Sequence, residues 1–184
     1  MDRSPGHCLL TGGARSGKSR IALELCQSHD RKCFVATAEA RDDDMRSRIE
    51  NHRRERGPEW SLIEEPLRFC QRLRTEARDT DVVLIDCLTL WVSNWLLAMS
   101  DGHSPLGQPD FDEELEQLDA LLAEPNPRII CVTNEVGMGI VPDNALARSY
   151  RDLLGKVNQR VAQVSDTVLL LVSGIPIAVK GSLP

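Results

Sequence analysis

The sequence predicts an α/β protein, a mostly parallel β-sheet flanked by helices, and three observations carry that reading. Short apolar runs alternate with helical patterns from one end of the chain to the other. The run Val82-Val83-Leu84-Ile85 is apolar at every position, as expected of a strand covered on both faces. A glycine-rich loop separates the first apolar run from the first helical segment. The 184 residues suit one domain, 1–184, with enough chain to bury a core. No repeat, low-complexity segment or linker divides them.

The elements follow in order. Cys8-Leu9-Leu10 is a short strand that stops at Thr11-Gly12-Gly13. Residues 18–27 read as a helix, with Ile21 and Leu25, and Ala22 and Cys26, spaced for one buried face. Residues 33–37 form a strand by their aromatic and β-branched content. Residues 42–55 read as a charged helix whose three leading aspartates suit a positive helix N-terminus. A strand at 60–63 precedes a helix at 66–78, with Pro66 acceptable in its first turn. After the strand at 82–85 comes an apolar helix, 88–99, carrying Trp91 and Trp95. That apolar surface exceeds one face of a helix, so part of it is expected between subunits. Residues 100–109 hold two Gly and two Pro and read as an exposed loop. A helix at 111–123, a strand at 129–133, a helix at 143–164 and a strand at 168–172 complete the pattern. Leu146, Tyr150, Leu153, Val157, Val161 and Val164 give the 143–164 helix its packing stripe.

Composition narrows the function classes. Apolar residues at 41% and charged residues at 27% describe an ordinary globular chain. A net charge of −6 disfavours general nucleic-acid binding, which usually shows a basic excess, but leaves room for a phosphate ligand held by local donors. The six cysteines show no C-x-x-C pair and no zinc spacing, and read as free thiols of a reducing cytosol. The N-terminus lacks the layout of a signal peptide, and the longest apolar stretch is too short to span a bilayer. A cytoplasmic protein is therefore expected.

The chemistry concentrates in one motif. Gly12-Gly13-Ala14-Arg15-Ser16-Gly17-Lys18-Ser19 matches G-x-x-x-x-G-K-[ST], the phosphate loop of P-loop NTPases. Its glycines let the backbone wrap a polyphosphate with N–H groups pointing inward, and the following helix adds its positive end. Lys18 is expected to reach the β- and γ-phosphates, and Ser19 to place its hydroxyl on magnesium. Asp86 closes the apolar strand 82–85 with a carboxylate, the usual form of the partner magnesium motif, where ligands of open α/β sheets gather.

Two further clusters admit two readings each. Arg48, His52 and Arg56 recur at four-residue steps, so they share a helix face if the helix reaches that far. A histidine among cations is held neutral and can attack phosphorus; it can equally be a solvated surface residue. Thr133 to Pro142 follows a strand and brings polar groups and glycines to the sheet edge that carries the phosphate loop. It reads as part of the site or as a turn before the next helix.

Taken together the motifs resemble the bifunctional adenosylcobinamide kinase / adenosylcobinamide-phosphate guanylyltransferase family. The resemblance is carried by Thr11-Gly12-Gly13-Ala14-Arg15-Ser16-Gly17-Lys18-Ser19-Arg20, by Val35-Ala36-Thr37-Ala38, and by Arg48-Ile49-Glu50-Asn51-His52-Arg53 with Arg56, Pro58 and Trp60. Asn134-Glu135-Val136-Gly137-Met138-Gly139-Ile140-Val141-Pro142 is the most distinctive part, and the match runs on through Leu146-Ala147-Arg148, Gly155 to Arg160, and Val172 to Pro176. It implies a RecA-like P-loop fold, a homotrimer, and two steps: phosphorylation of the aminopropanol arm of adenosylcobinamide by ATP or GTP, then guanylylation by GTP through a histidine. His52 matches that histidine. Ala36, Thr37, Ala38, Arg53, Arg54, Glu55, Arg56, Glu64 and Asp86 fall where the family contacts nucleotide. The implied ligands are magnesium, GTP, ATP and a corrinoid, with neither nucleic acid nor a membrane span. No N-K-x-D base-reading motif is present, so GTP preference rests on the resemblance. Rival readings are a small-molecule P-loop kinase without a covalent step and a P-loop switch module.

Overall fold

The computed structural model describes residues 6–39, 57, 59–101 and 106–183. Its strands are β1 Cys8–Gly12, β2 Lys32–Ala36, β3 Trp60–Glu64, β4 Val82–Asp86, β5 Arg128–Val132, β6 Thr167–Val172 and β7 Ile175–Lys180. Its helices are α1 Lys18–Cys26, α2 Phe69–Glu76, α3 Leu88–Ser100, α4 Gln108–Leu122 and α5 Ala145–Val164. The strands form one seven-stranded sheet in the order β3-β2-β4-β5-β1-β6-β7. Every adjacent pair is parallel except β6 with β7. The mostly parallel sheet expected from the alternating pattern is the one observed.

Because side chains alternate across a strand, the inner strands supply two cores. Leu9, Val35, Ile63, Ile85, Ile129 and Cys131 face one side, where they meet residues of α2, α3, α4 and α5. Leu10, Phe34, Leu84, Ile130 and Leu169 face the other, against Ala22 and Cys26 of α1. Both faces being covered, a polar residue inside Val82–Ile85 would have no water to meet. No helix among the described residues is long and apolar enough to cross a membrane, and all six cysteines are free thiols.

The structure shows where Trp91 and Trp95 are covered. Both are fully buried inside the subunit. Their rings pack on Phe69 and Phe111, with centroids 5.4 Å apart for Phe69–Trp91 and 5.8 Å for Trp95–Phe111. Both indole N–H groups donate to the Leu67 carbonyl, at 2.7 and 3.1 Å. The two tryptophans are thus covered by their own subunit's helices, while Leu97 on the same helix stays exposed.

Element ends moved where side chains intervene. The 66–78 helix begins only at Phe69, because Glu65 Oε1 accepts from the Leu67 and Arg68 N–H groups and holds a turn before it. The 143–164 helix begins at Ala145, with Asn144 as its cap accepting from Ala147 N at 3.1 Å. The 100–109 loop ends early: α4 starts at Gln108, where Asp110 Oδ2 accepts from Gly107 N. Strand β7 was not expected. Pro176 argues against a central strand, but β7 is an edge strand, where its missing N–H is tolerated. The helix expected over 42–55, and residues 102–105 of the loop, lie outside the described residues.

Candidate active site

The parallel strands bring their C-terminal ends to one edge. Glu64, Ala36, Asp86 and Val132 stand in one row there, since Ala36 pairs with both Glu64 and Asp86, and Asp86 with Val132. The glycine-rich loop leaves the same edge from β1. Its shape depends on glycine at two positions. Gly12 has φ +141°, and a Cβ there would collide with the Leu171 carbonyl. Gly17, with φ +92°, turns the chain into α1. Neighbouring segments hold the loop: Gly174 N donates to Ser16 O at 3.0 Å, and Glu135 N to Gly12 O at 3.2 Å.

Lys18 is buried at the mouth of α1. Its ammonium donates to Gly13 O at 2.6 Å, Gly12 O at 3.1 Å and Ser16 Oγ at 3.3 Å. Burial lowers its pKa below the usual lysine value, and the neighbouring Cys87 and Asp86 oppose that shift. No acidic residue stands in the first turn of α1, so its positive end is left for an anion.

A cavity of about 640 Å³ opens between this loop and the strand ends, a size typical of small-molecule sites. Residues Ala14, Arg15, Ser16, Gly17, Lys18 and Ser19 form one wall. Ala36, Ala38 and Asp86 belong to the other, so most of the expected nucleotide-binding residues converge on one space. Gly12 and Gly13 precede this wall in the loop and are not part of the cavity lining. Two expected residues stand aside. Thr37 is fully buried; its hydroxyl donates to Cys87 O at 2.7 Å and accepts from Cys87 N at 3.0 Å. Glu64 shares the strand-end row but lies two strands away on the edge strand β3, outside the cavity lining. His52, Arg53, Arg54, Glu55 and Arg56 lie outside the described residues.

The lining also includes Arg20, which closes the phosphate-loop motif, and residues that no motif singled out: Phe34, Cys87, Thr89 and Leu90. Cys87 directly follows Asp86 through a cis peptide bond. Burial pushes its thiol up to about 12, which favours the neutral form. Asn134 completes the wall. It lay within the Thr133–Pro142 stretch whose role the sequence left open, and its position opposite the loop favours the reading as part of the site.

A phosphate loop at the end of β1, with the carboxylate-bearing end of β4 across a cavity, defines a P-loop nucleotide-binding protein. Solved structures share the fold. The chain superposes on an ATPase of the type III secretion system of pathogenic bacteria with a TM-score of 0.55 at 12% identity, covering 91% of this chain and 52% of that one. It superposes on the Pyrococcus horikoshii protein PH0250 with a TM-score of 0.52 at 8% identity, covering 96% and 87%. Within that class the chain belongs to the CobU family, cobinamide kinase / cobinamide phosphate guanyltransferase, whose family model matches residues 8–179. It is 39% identical over 179 residues to the bifunctional adenosylcobalamin biosynthesis protein CobU of Salmonella typhimurium, covering 94% of this chain and 98% of that protein. To CobP of Pseudomonas aeruginosa, which carries the same description, it is 42% identical over 174 residues, covering 94% and 96%.

Proposed function

We propose that this chain phosphorylates adenosylcobinamide with ATP or GTP, then transfers GMP from GTP to the product to give adenosylcobinamide-GDP. The observation that carries the reading is the cavity that Lys18 and Ser19 share with Asp86; family membership supplies the acceptor. In the first step the acceptor hydroxyl attacks the γ-phosphorus, the bond to the β–γ bridging oxygen breaks and a nucleoside diphosphate leaves. Such transfer needs positioning and charge neutralisation more than covalent chemistry from the protein. Lys18 exchanges its carbonyl acceptors on the loop for phosphate oxygens, and the N–H groups of 13–18 surround the polyphosphate. Among the described residues no group of three or more His, Cys, Asp or Glu is arranged to hold a metal alone. Magnesium is usually bound through one or two carboxylates together with substrate phosphates, and the oxygen donors of Ser19 and Asp86 in the cavity lining fit it. Bound there, the ion neutralises phosphate charge.

In the second step the His52 imidazole attacks the α-phosphorus of GTP and pyrophosphate leaves. An oxygen of the substrate phosphate then displaces the imidazole and takes the GMP. The cations Arg53, Arg54 and Arg56 favour a neutral imidazole and offset phosphate charge. The single domain 1–184, the trimer and the cytoplasmic setting belong to the same reading and rest on the family likeness and the sequence.

The test is GTP labelled at the α-phosphate. Wild-type protein should take up covalent label as a phosphoramidate, lost in acid and kept in base. His52→Ala should take up none and form no adenosylcobinamide-GDP, yet still phosphorylate adenosylcobinamide. Labelling of His52→Ala at the wild-type level would move the covalent role elsewhere; absence of label on the wild type would favour a kinase without that step.

A further inference from the structure

The cavity wall facing the loop holds a residue to which the roles above assign no task. Asn134 follows β5, the strand between β4 and β1. It therefore stands between the strand that delivers Asp86 and the strand that delivers the phosphate loop, the two groups that mark the β/γ end of a bound triphosphate. Its main chain is fixed on several sides. Asn134 N donates to Thr89 Oγ1 at 2.8 Å. Asn134 O accepts from Asn158 Nδ2 at 3.1 Å, and Asn158 Oδ1 in turn accepts from Thr133 Oγ1 at 2.8 Å. The next residue donates from Glu135 N to Gly12 O at 3.2 Å. Helices α3 and α5 and the phosphate loop thus all hold this short stretch, and none of these bonds uses the Asn134 carboxamide, although the residue lines the cavity.

We propose that Asn134 is a catalytic residue of the kinase step, its Nδ2 donating to an oxygen of the γ-phosphoryl group as that group is transferred. The proposal rests on the nucleotide reading above. Charge in such a transfer spreads over the equatorial oxygens of the moving phosphoryl group. A donor whose backbone is already fixed meets that charge without reorganising, which is where preorganised hydrogen bonds act most strongly. Amide chemistry suits the position: it donates to an anion yet carries no charge that would hold the product diphosphate. A carboxylate of the same shape would repel the phosphoryl oxygens.

The experiment compares binding of GDP and of a non-hydrolysable GTP analogue, each with magnesium, to the full-length wild type, Asn134→Ala and Asn134→Asp. Kinase kcat is measured beside it. A contact confined to the γ-phosphate leaves GDP affinity unchanged and weakens the analogue about tenfold in Asn134→Ala, the effect of one hydrogen bond to a charged group, and further in Asn134→Asp. The kinase kcat of the alanine variant falls about a hundredfold. Parallel loss of both nucleotides marks a structural role and overturns the proposal, as does an unchanged kcat. If Asn134→Ala does not fold, the near-isosteric Asn134→Asp decides: wild-type affinity for the analogue refutes the contact. Wild-type protein that binds neither nucleotide removes the nucleotide reading itself, an outcome distinct from failure at Asn134 alone.

Discussion

The two walls of the cavity are built in opposite ways. One wall is a single run of chain, residues 14–19, whose shape depends on Gly12 just before it and Gly17 within it. The facing wall is assembled from Ala36 at the end of β2 and Ala38 beyond it, Asp86 at the end of β4 and Cys87 beyond it, Thr89 in α3 and Asn134 after β5. The first kind of wall recognises something common to all nucleoside triphosphates and needs only local sequence. The second can be altered one element at a time, so differences in acceptor and in reaction are expected to reside there.

Lys18→Ala gives the largest effect among tests of this contrast. It removes the one ammonium of the local wall, and loss of such preorganised charge lowers kcat by about two orders of magnitude or more. The loop backbone, tied to Gly174 and Glu135 rather than to the lysine alone, should keep its shape, so the thermal midpoint should move little. Steady-state phosphorylation of adenosylcobinamide measures the first outcome and thermal unfolding the second. Activity within a few-fold of wild type would mean that the local wall does not carry phosphoryl transfer.

The same contrast explains what could be read in advance. The phosphate loop was legible because its function requires residues at fixed spacing in one segment. The strands at 82–85 and 129–133 were legible because burial on both faces removes polar residues from them. The opposite wall was legible only in part. Asp86 stood out as a carboxylate closing an apolar strand, but Thr89 reads in sequence as one more residue of an apolar helix. Its place in the cavity follows from β4 and β5 being neighbours, which no local pattern encodes. Trp91 and Trp95 make a related point: an apolar helix surface shows that something covers it, without saying whether that is the same subunit or another, and both tryptophans are covered by their own subunit. Strand β7 was missed because Pro176 argues against a strand until its edge position is known. Residue 52 lies outside the described residues, so its role rests on the sequence and the family.

A smaller effect is expected from Thr37→Val, a test of how the assembled wall is kept in register. The Thr37 hydroxyl both donates to and accepts from the Cys87 backbone, clipping the end of β2 to the chain just after Asp86. Valine has nearly the same shape but leaves buried backbone groups of Cys87 without those partners. A buried group left unsatisfied costs about 1–3 kcal/mol, so denaturant unfolding should show a loss in that range. The motif resemblance led Thr37 to be expected among the nucleotide contacts, whereas its buried hydroxyl argues for a structural part. Nucleotide affinity decides: a loss of binding much larger than the loss of stability would return Thr37 to the nucleotide.

The smallest effect concerns a charge that belongs to neither wall and serves as a control on both. Glu114 of α4 is buried, and its Oε1 accepts from Cys70 N at the start of α2, 2.9 Å away. Burial raises its carboxyl pKa above the usual value, while the hydrogen bonds from Cys70 and the nearby Arg68 pull the other way. The folded state therefore holds this proton more tightly than the unfolded chain does. Its contribution to stability is fully present below the unfolded pKa of about 4 and is lost as pH rises through the higher folded value. Glu114→Gln keeps an oxygen that can accept from Cys70 N and removes the titration. Its unfolding midpoint should thus fall less than that of the wild type between pH 4 and pH 7, with the two proteins closest at the acid end. Nucleotide affinity and kinase kcat at neutral pH should match the wild type, because α2 and α4 contribute no residue to the cavity lining. Parallel stability curves for the two proteins would show that Glu114 does not titrate differently on folding. A change in nucleotide affinity would show that the assembled wall depends on the helix layer beneath it, and the contrast between a local wall and a modular one would need redrawing around α2 and α4.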